Sequence, residues 1–268
     1  MQFIKIKYHI LAAAIILLAC SSCQKVINIQ VANAATQLVI EGNVTNQSAP
    51  QYVKISQTVP FTNTNTFPAV SGATVTIVDS KGNTYKFTES STAGTYVSSK
   101  FAGRIGAAYT LTVQTGGKTY TGSSTMPIPV NFDQLTYRDD FFNNKNGKLM
   151  TVHYQDPANI PNQYRFVMYV NSVQVKTIFD ADDSFTDGGY VDLDLFQSDI
   201  NIKTGDTVAV DMQCIDKNIY TYWFSLSQQT TDNAGGGTTP SNPPSNLSNN
   251  ALGYFSAHTV QRQTVVIN

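Results

Sequence analysis

Asp180-Ala181-Asp182-Asp183, followed by Asp187, is the stretch of this chain whose residue types and spacing carry the most chemistry. Closely spaced carboxylates are hard oxygen donors of the kind Ca²⁺ requires. Asp180, Asp182, Asp183 and Asp187 therefore form a weak candidate set for calcium, the one cofactor the residues suggest. The spacing does not follow the EF-hand, because Asp187-Gly188 lacks the earlier ligands at two-residue steps. The alternative is a solvated acidic turn, with Asp192 and Asp194 on the wet face of a strand beside Val191, Leu193 and Leu195. Catalytic sets are not found. Of three histidines, His9 lies in the apolar leader, which leaves His153 and His258. His153 alternates with Val152 and Tyr154 and reads as an ordinary strand residue. There is no Gly-x-Ser-x-Gly elbow and no His-Glu-x-x-His. The only glutamates are Glu41 and Glu89, and no lysine follows the run Gly235–Gly237 to make a phosphate loop. Aspartates supply the carboxylates that glycoside hydrolysis needs, but nothing pairs them. The residues thus predict no enzyme.

A second reactive feature lies at the start. Lys5 and Lys7 precede the apolar run Ile10–Ala19, which is shorter than the ~20 residues that span a bilayer. A cationic start, a short apolar core and a small residue at its end describe a secretory signal over residues 1–19. Leu17-Leu18-Ala19-Cys20 resembles the lipobox of bacterial lipoproteins. That resemblance implies that the cysteine is acylated, for instance by palmitate, and becomes the new amino terminus. Cys23, preceded by Ser22, is a second and poorer match to the motif. Two or three acyl chains hold a protein firmly on a membrane, where one alone binds reversibly.

Composition agrees with an exported body. Charged residues make up only 13%, and the formal net charge is -1, so no nucleic-acid partner is expected. Lys and Arg outnumber acids before about residue 130, and the balance reverses after it, where every acid is aspartate. The break coincides with Met126-Pro127-Ile128-Pro129, which reads as a linker. Cys214 is the one cysteine beyond the leader and falls in the apolar run Val208–Ile215, so it reads as a small buried residue rather than half of a disulfide.

The elements that must position these residues read as strands. Residues 20–36 are a tether without periodicity. Over 37–128, Leu38–Val44, Tyr52–Ser56, Thr74–Val78, Thr84–Thr88, Tyr109–Val113 and Lys118–Thr121 alternate with period two. Asp79–Asn83 and Gly116-Gly117 are hairpin turns. Over 131–268 the strand candidates are Phe132–Tyr137, Leu149–Tyr154, Tyr164–Val170, Val173–Phe179, Val191–Leu195, Thr207–Ile215 and Thr259–Ile267. Ile219, Tyr222, Trp223 and Leu226 recur at helical spacing over 216–229, with Asp216 placed to cap the start. Residues 231–250 form a Gly/Pro/Asn loop, and the apolar island Ala251–Phe255 after it must dock somewhere. The fold class expected is all-β: two β-sandwich domains with one short helix in the second.

Several stretches carry a family resemblance: Cys23-Gln24-Lys25-Val26-Ile27, Pro68–Ile77, Gly106–Val113, Asp182–Gly188, Gly205–Val208, Pro243–Leu247 and Leu252–Ala257. Through them the chain resembles an uncharacterised family of Bacteroidota outer-membrane lipoproteins, a domain of unknown function. The resemblance places the family's leader cysteine before a Lys-Val-Ile-like run, which favours Cys23, whereas the lipobox favours Cys20. It also implies a lipid-anchored place at the outer membrane beside a TonB-dependent receptor. The first half is similar as well to the Ig-like sandwich of carboxypeptidase-regulatory modules. The expectation is an accessory or binding lipoprotein in nutrient uptake. The alternatives are a structural or adhesive surface protein and an unrecognised hydrolase.

Overall fold

The computed structural model describes residues 35–60, 66–140, 147–230 and 241–268. The expected signal, both leader cysteines and nearly all of the tether lie outside the described residues, as do residues 231–240 of the long loop. The strands of the first half are β1 (Leu38–Thr45), β2 (Tyr52–Gln57), β3 (Thr74–Asp79), β4 (Thr84–Glu89), β5 (Thr95–Ser98), β6 (Ala108–Thr115) and β7 (Lys118–Thr125). The second half contributes β8 (Gln134–Asp139), β9 (Lys148–Gln155), β10 (Gln163–Val170), β11 (Val173–Gln174), β12 (Phe179–Asp182), β13 (Tyr190–Leu195), β14 (Thr207–Ile215), the helix α1 (Lys217–Thr230) and β15 (Leu252–Val266).

Local chemistry accounts for the hairpins. In the β3–β4 turn, Asp79 Oδ1 accepts the amides of Lys81 and Asn83 at 2.9 and 3.0 Å. These bonds, led by one from the Asn83 side chain, hold the Asp79 carboxyl below its usual range. The β6–β7 turn is made by Gly116 and Gly117 at φ 56° and 71°, the pair of left-handed residues that a tight type I′ hairpin requires. At the helix start, Asp216 Oδ1 accepts the amides of Asn218 and Ile219 at 3.0 and 3.1 Å, the cap expected from the sequence.

The chain is all-β with two sandwich-like halves, each around its own core. One sheet runs β11-β10-β14-β15-β1-β2-β5-β4-β3-β6-β7, with β12 added beside β10, and a second runs β13-β9-β8. The first core gathers Ile40, Val53, Ile55, Ile77, Tyr96, Tyr109, Leu111 and Phe255. The second lies between the β10-β14-β15 part of the large sheet and the three-stranded sheet, and buries Tyr154, Tyr164, Phe166, Met212 and Cys214. Each fully buried aliphatic or aromatic side chain contributes ~1.5–3 kcal/mol. Together these cores hold Ala35–Asn268 as a single compact unit.

Strand β15 couples the halves. Its first part, Leu252–His258, pairs in parallel with β1, and its second, Thr259–Val266, pairs antiparallel with β14. The final strand was expected only over Thr259–Ile267. The apolar island before it docks by extending that strand, and Leu247, Ala251, Phe255 and Ala257 complete the first core although they lie near the end of the second half in sequence. Gly253 makes this close pairing possible. It sits at φ +89°, and a Cβ there would fall 2.1 Å from the Ile40 carbonyl oxygen. The expected strand Val173–Phe179 is divided. β11 and β12 pair with opposite ends of β10, and the Thr177 amide between them turns away to Asp199 Oδ2 at 2.7 Å. β5 carries too short an alternation to announce itself.

Candidate functional site

Alternation puts one set of side chains in the cores and the other on the outer face of the large sheet. Glu41 and Asn43 of β1, Tyr52 and Lys54 of β2, Arg165 and Tyr169 of β10, Asp211 and Gln213 of β14, and Tyr254 and Arg262 of β15 share that face through the strand registers. They line a cleft of about 1020 Å³ that crosses the junction between the two halves. One wall is α1, which lies on the sheet through Ile219, Tyr222 and Trp223 against Ile215 and Tyr254.

The cleft's chemistry is polar and aromatic. The Arg165 guanidinium lies 3.6 Å from the centroid of Trp223, a cation–π stack, and donates to Gln213 Oε1 at 3.3 Å. Burial is the main influence on Arg165 and pulls its proton affinity down, while Tyr254, Tyr169, Tyr222 and Asp180 oppose that. Trp223 meets Tyr254 edge to face at 5.1 Å, and Tyr222 packs on both. On the other side Arg262 grips Asp211 through two bonds of 2.5 and 2.6 Å, and this pairing raises the Arg262 pKa. The cleft therefore combines three cationic side chains with two carboxylates, one of which is neutralised. Behind it, His258 is 4% exposed, with Nδ1 2.9 Å from Ser256 Oγ. Burial, reinforced by Arg165, pulls its pKa down to about 3. Such a surface binds through aromatic faces and through side-chain amide, guanidinium and hydroxyl hydrogen bonds.

The aspartates foreseen as calcium candidates do not act as one group. Asp180 and Asp182 sit on β12 and turn toward α1 and β10. Burial raises the Asp180 carboxyl, while Ser227 and Arg165 draw it back, and Asp182 lies beside Tyr220. Asp183 and Asp187 lie beyond the end of β12 and converge with Asp156, which the sequence reading passed over. One carboxylate oxygen from each of the three lies within 4.8 Å of the others. Asp156 follows β9 some distance away in sequence, so only the crossing of two loops unites them. The sequence offered only a weak signal: Asp156 stands directly after β9 and before Pro157, where the strand has to end. Asp156 is 0% exposed. The Tyr164 hydroxyl donates to its Oδ1, and its Oδ2 is buried without a hydrogen-bond partner. Burial is the largest influence on this carboxyl and raises its pKa. Tyr164 counters it, Asp183 adds to it, and the Gly188 amide and Asp187 contribute less in opposite directions.

His153 stands in a polar row across the three-stranded sheet. Its Nε2 is 2.6 Å from Thr136 Oγ1, and its Nδ1 is 2.5 Å from Asp192 Oδ1. Beside it runs a second row in which Arg138 and the Thr151 hydroxyl meet Asp194. Both rows link neighbours on three adjacent strands along an open sheet face, as cross-strand polar pairs do. Cys214 is buried in the second core and its Sγ accepts the Val130 amide at 3.3 Å.

A family model described as a domain of unknown function (DUF4249) matches residues 24–264. No curated protein matches the chain. Among solved structures, the chain is similar to a segment of two fibronectin type-III domains from chicken tenascin, with 13% identity and a TM-score of 0.22 over 67% of this chain and 91% of that one. It is also similar to a DUF4785 family protein from Legionella pneumophila subsp. pneumophila str. Philadelphia 1, with 12% identity and a TM-score of 0.26 over 68% of this chain and 53% of that one.

Proposed function

The chain belongs to the DUF4249 family, whose description assigns no activity, and on that premise we propose that it is a lipid-anchored binding component of a Bacteroidota outer membrane, working beside a TonB-dependent receptor in nutrient uptake. The observation that carries the binding role is the cleft on the outer sheet face. Its aromatic side chains and its cationic Lys54 and Arg165 suit a polar ligand, a glycan or a peptide. Support for the anchor comes from the sequence: the charged start, the short apolar run, and Cys20 or Cys23 behind it. A tether on one of these cysteines leaves the folded body in water while keeping its cleft close to the membrane.

The chain's single tryptophan, Trp223, lines the cleft and reports on it directly. Titrating the purified full chain with outer-membrane glycan fragments and peptides, while following tryptophan emission, is expected to give a saturable change for one ligand class. Trp223→Phe supplies the blank. Radiolabelled palmitate is expected to appear on the chain and to disappear when Cys20 and Cys23 are both replaced by serine. A tagged chain is expected to bring a TonB-dependent receptor out of the membrane. Absence of label and of receptor, with attachment rather than uptake lost on deletion, would replace this reading with a structural or adhesive role.

A further inference from the structure

The three carboxylates at one end of the second sandwich stand where the chain passes twice between its two sheets. Asp156 begins the connection from β9, in the three-stranded sheet, to β10, in the large one. Asp183 and Asp187 belong to the connection from β12, beside β10, back to β13. The loops already lean on each other. The Asn162 amide donates to Asp183 Oδ2 at 2.9 Å, and the Asn159 amide donates to Asp187 Oδ1 at 2.7 Å. Each bond runs from the first crossover to the second.

Backbone amides occupy one oxygen on each of two aspartates and the Tyr164 hydroxyl occupies one on the third. The remaining oxygens include Asp156 Oδ2, which is out of contact with water and has no hydrogen-bond partner. Burying an ionised carboxylate against two others is strongly unfavourable unless the group takes up a proton or a positive charge compensates it. Among the described residues, the Lys and Arg ion pairs involve other aspartates: Arg138 with Asp194, Lys148 with Asp139 and Arg262 with Asp211. A cation bound between the oxygens supplies that charge.

We propose that Asp156, Asp183 and Asp187 form a calcium site that staples the two sheets of the second sandwich. The donor set selects the metal. All three donors are hard oxygens, and no histidine or cysteine joins the group, which disfavours zinc and copper. The exposure of Asp187 leaves one side of the group open to solvent, which suits an ion that tolerates irregular geometry and takes water into its shell. Mg²⁺ demands tighter octahedral packing. With three carboxylates and an open side, the affinity belongs in the range of extracellular modules, a Kd of about 0.1–1 mM. The site rests on none of the cleft residues, so it stands or falls independently of the binding role.

Terbium is the direct probe, because it takes calcium sites and is sensitised by nearby tyrosine. Tyr164 touches Asp156 and is placed to serve as the antenna. The detergent-solubilised full chain, stripped of metal, is expected to give terbium emission on excitation at the tyrosine band, and Ca²⁺ is expected to displace it. The thermal midpoint is expected to rise by roughly 5–10 °C when Ca²⁺ stands a hundredfold above its Kd. Asp183→Asn and Asp187→Asn keep an oxygen for the Asn162 and Asn159 amides, so the fold survives, and each is expected to weaken calcium binding roughly tenfold or more. Asp180→Asn and Asp182→Asn are expected to leave it unchanged. Absence of terbium emission and of any midpoint shift with Ca²⁺ at about a hundredfold above that Kd overturns the proposal. So does binding that persists unaltered in the Asp183→Asn, Asp187→Asn double variant.

Discussion

Lowering the pH should destabilise this protein, and His258 should carry a separable share of the loss. In the unfolded chain its imidazole takes a proton near the ordinary value of 6.5, whereas in the fold burial and Arg165 defer protonation to about 3. Between those values the unfolded state binds more protons than the folded one. Stability from this group is therefore complete above about pH 6.5 and is lost as the pH falls toward 3. At ~1.36 kcal/mol per pH unit, lowering the pH from 7 to 4.5 should remove about 2–3 kcal/mol through His258 alone. The control is His258→Asn, whose amide keeps a polar atom near the Nδ1 position beside Ser256 but takes no proton. This variant is expected to be less stable at neutral pH, from the smaller side chain, and flatter in its pH response. Urea midpoints with their m-values, measured for both proteins at pH 7 and pH 4.5, give the double difference and cancel the contribution of the carboxylates. If both proteins lose the same stability over that interval, His258 is not held neutral in the fold and the reasoning fails.

Gly253→Ala puts a methyl group 2.1 Å from the Ile40 carbonyl oxygen in a left-handed residue, and should cost about 3 kcal/mol or more, seen as a fall of roughly 6–12 °C in the thermal midpoint. An unchanged midpoint would mean that β1 and β15 do not pair in this register. Asp211→Asn removes the carboxylate that Arg262 grips with two bonds. It should lower stability by about 1–2 kcal/mol, read as a lower urea midpoint at constant slope. Cys214 lies in the second core, and burial pushes its thiol up, with the Val130 amide and Thr259 opposing this. In a Cys20→Ser, Cys23→Ser background it should resist alkylation until denaturant is added, and rapid labelling in native buffer would refute its burial.

The strands and their faces were legible because period-two alternation is a local property. Val75, Ile77 and Phe87 announce their buried face, and Thr76 and Lys86 the wet one, without reference to any distant residue. Asp216 and the Gly116-Gly117 pair were equally legible, since a cap and a tight turn are satisfied within a few residues. Val173–Phe179 misled because its apolar content serves two short pairings with the same neighbour, β10, and an intervening bond to Asp199 outweighs alternation. Asp180 and Asp182 looked like companions of Asp183 by proximity in the chain. Successive residues of a strand point to opposite faces, and the turn after β12 separates them further, so proximity in sequence did not bring their carboxylates together.

By itself the sequence determined the all-β class, the helix over Lys217–Thr230, the turns and the low charge, because each depends on neighbours within a turn or a strand length. Only the tertiary structure decided that Asp156 joins Asp183 and Asp187, that Trp223 covers Arg165, and that the last strand serves both halves. Those arrangements depend on sheet order and on which loops cross at one end of a sandwich. Long-range pairing of this kind is chosen by the burial of whole faces, which no local window contains.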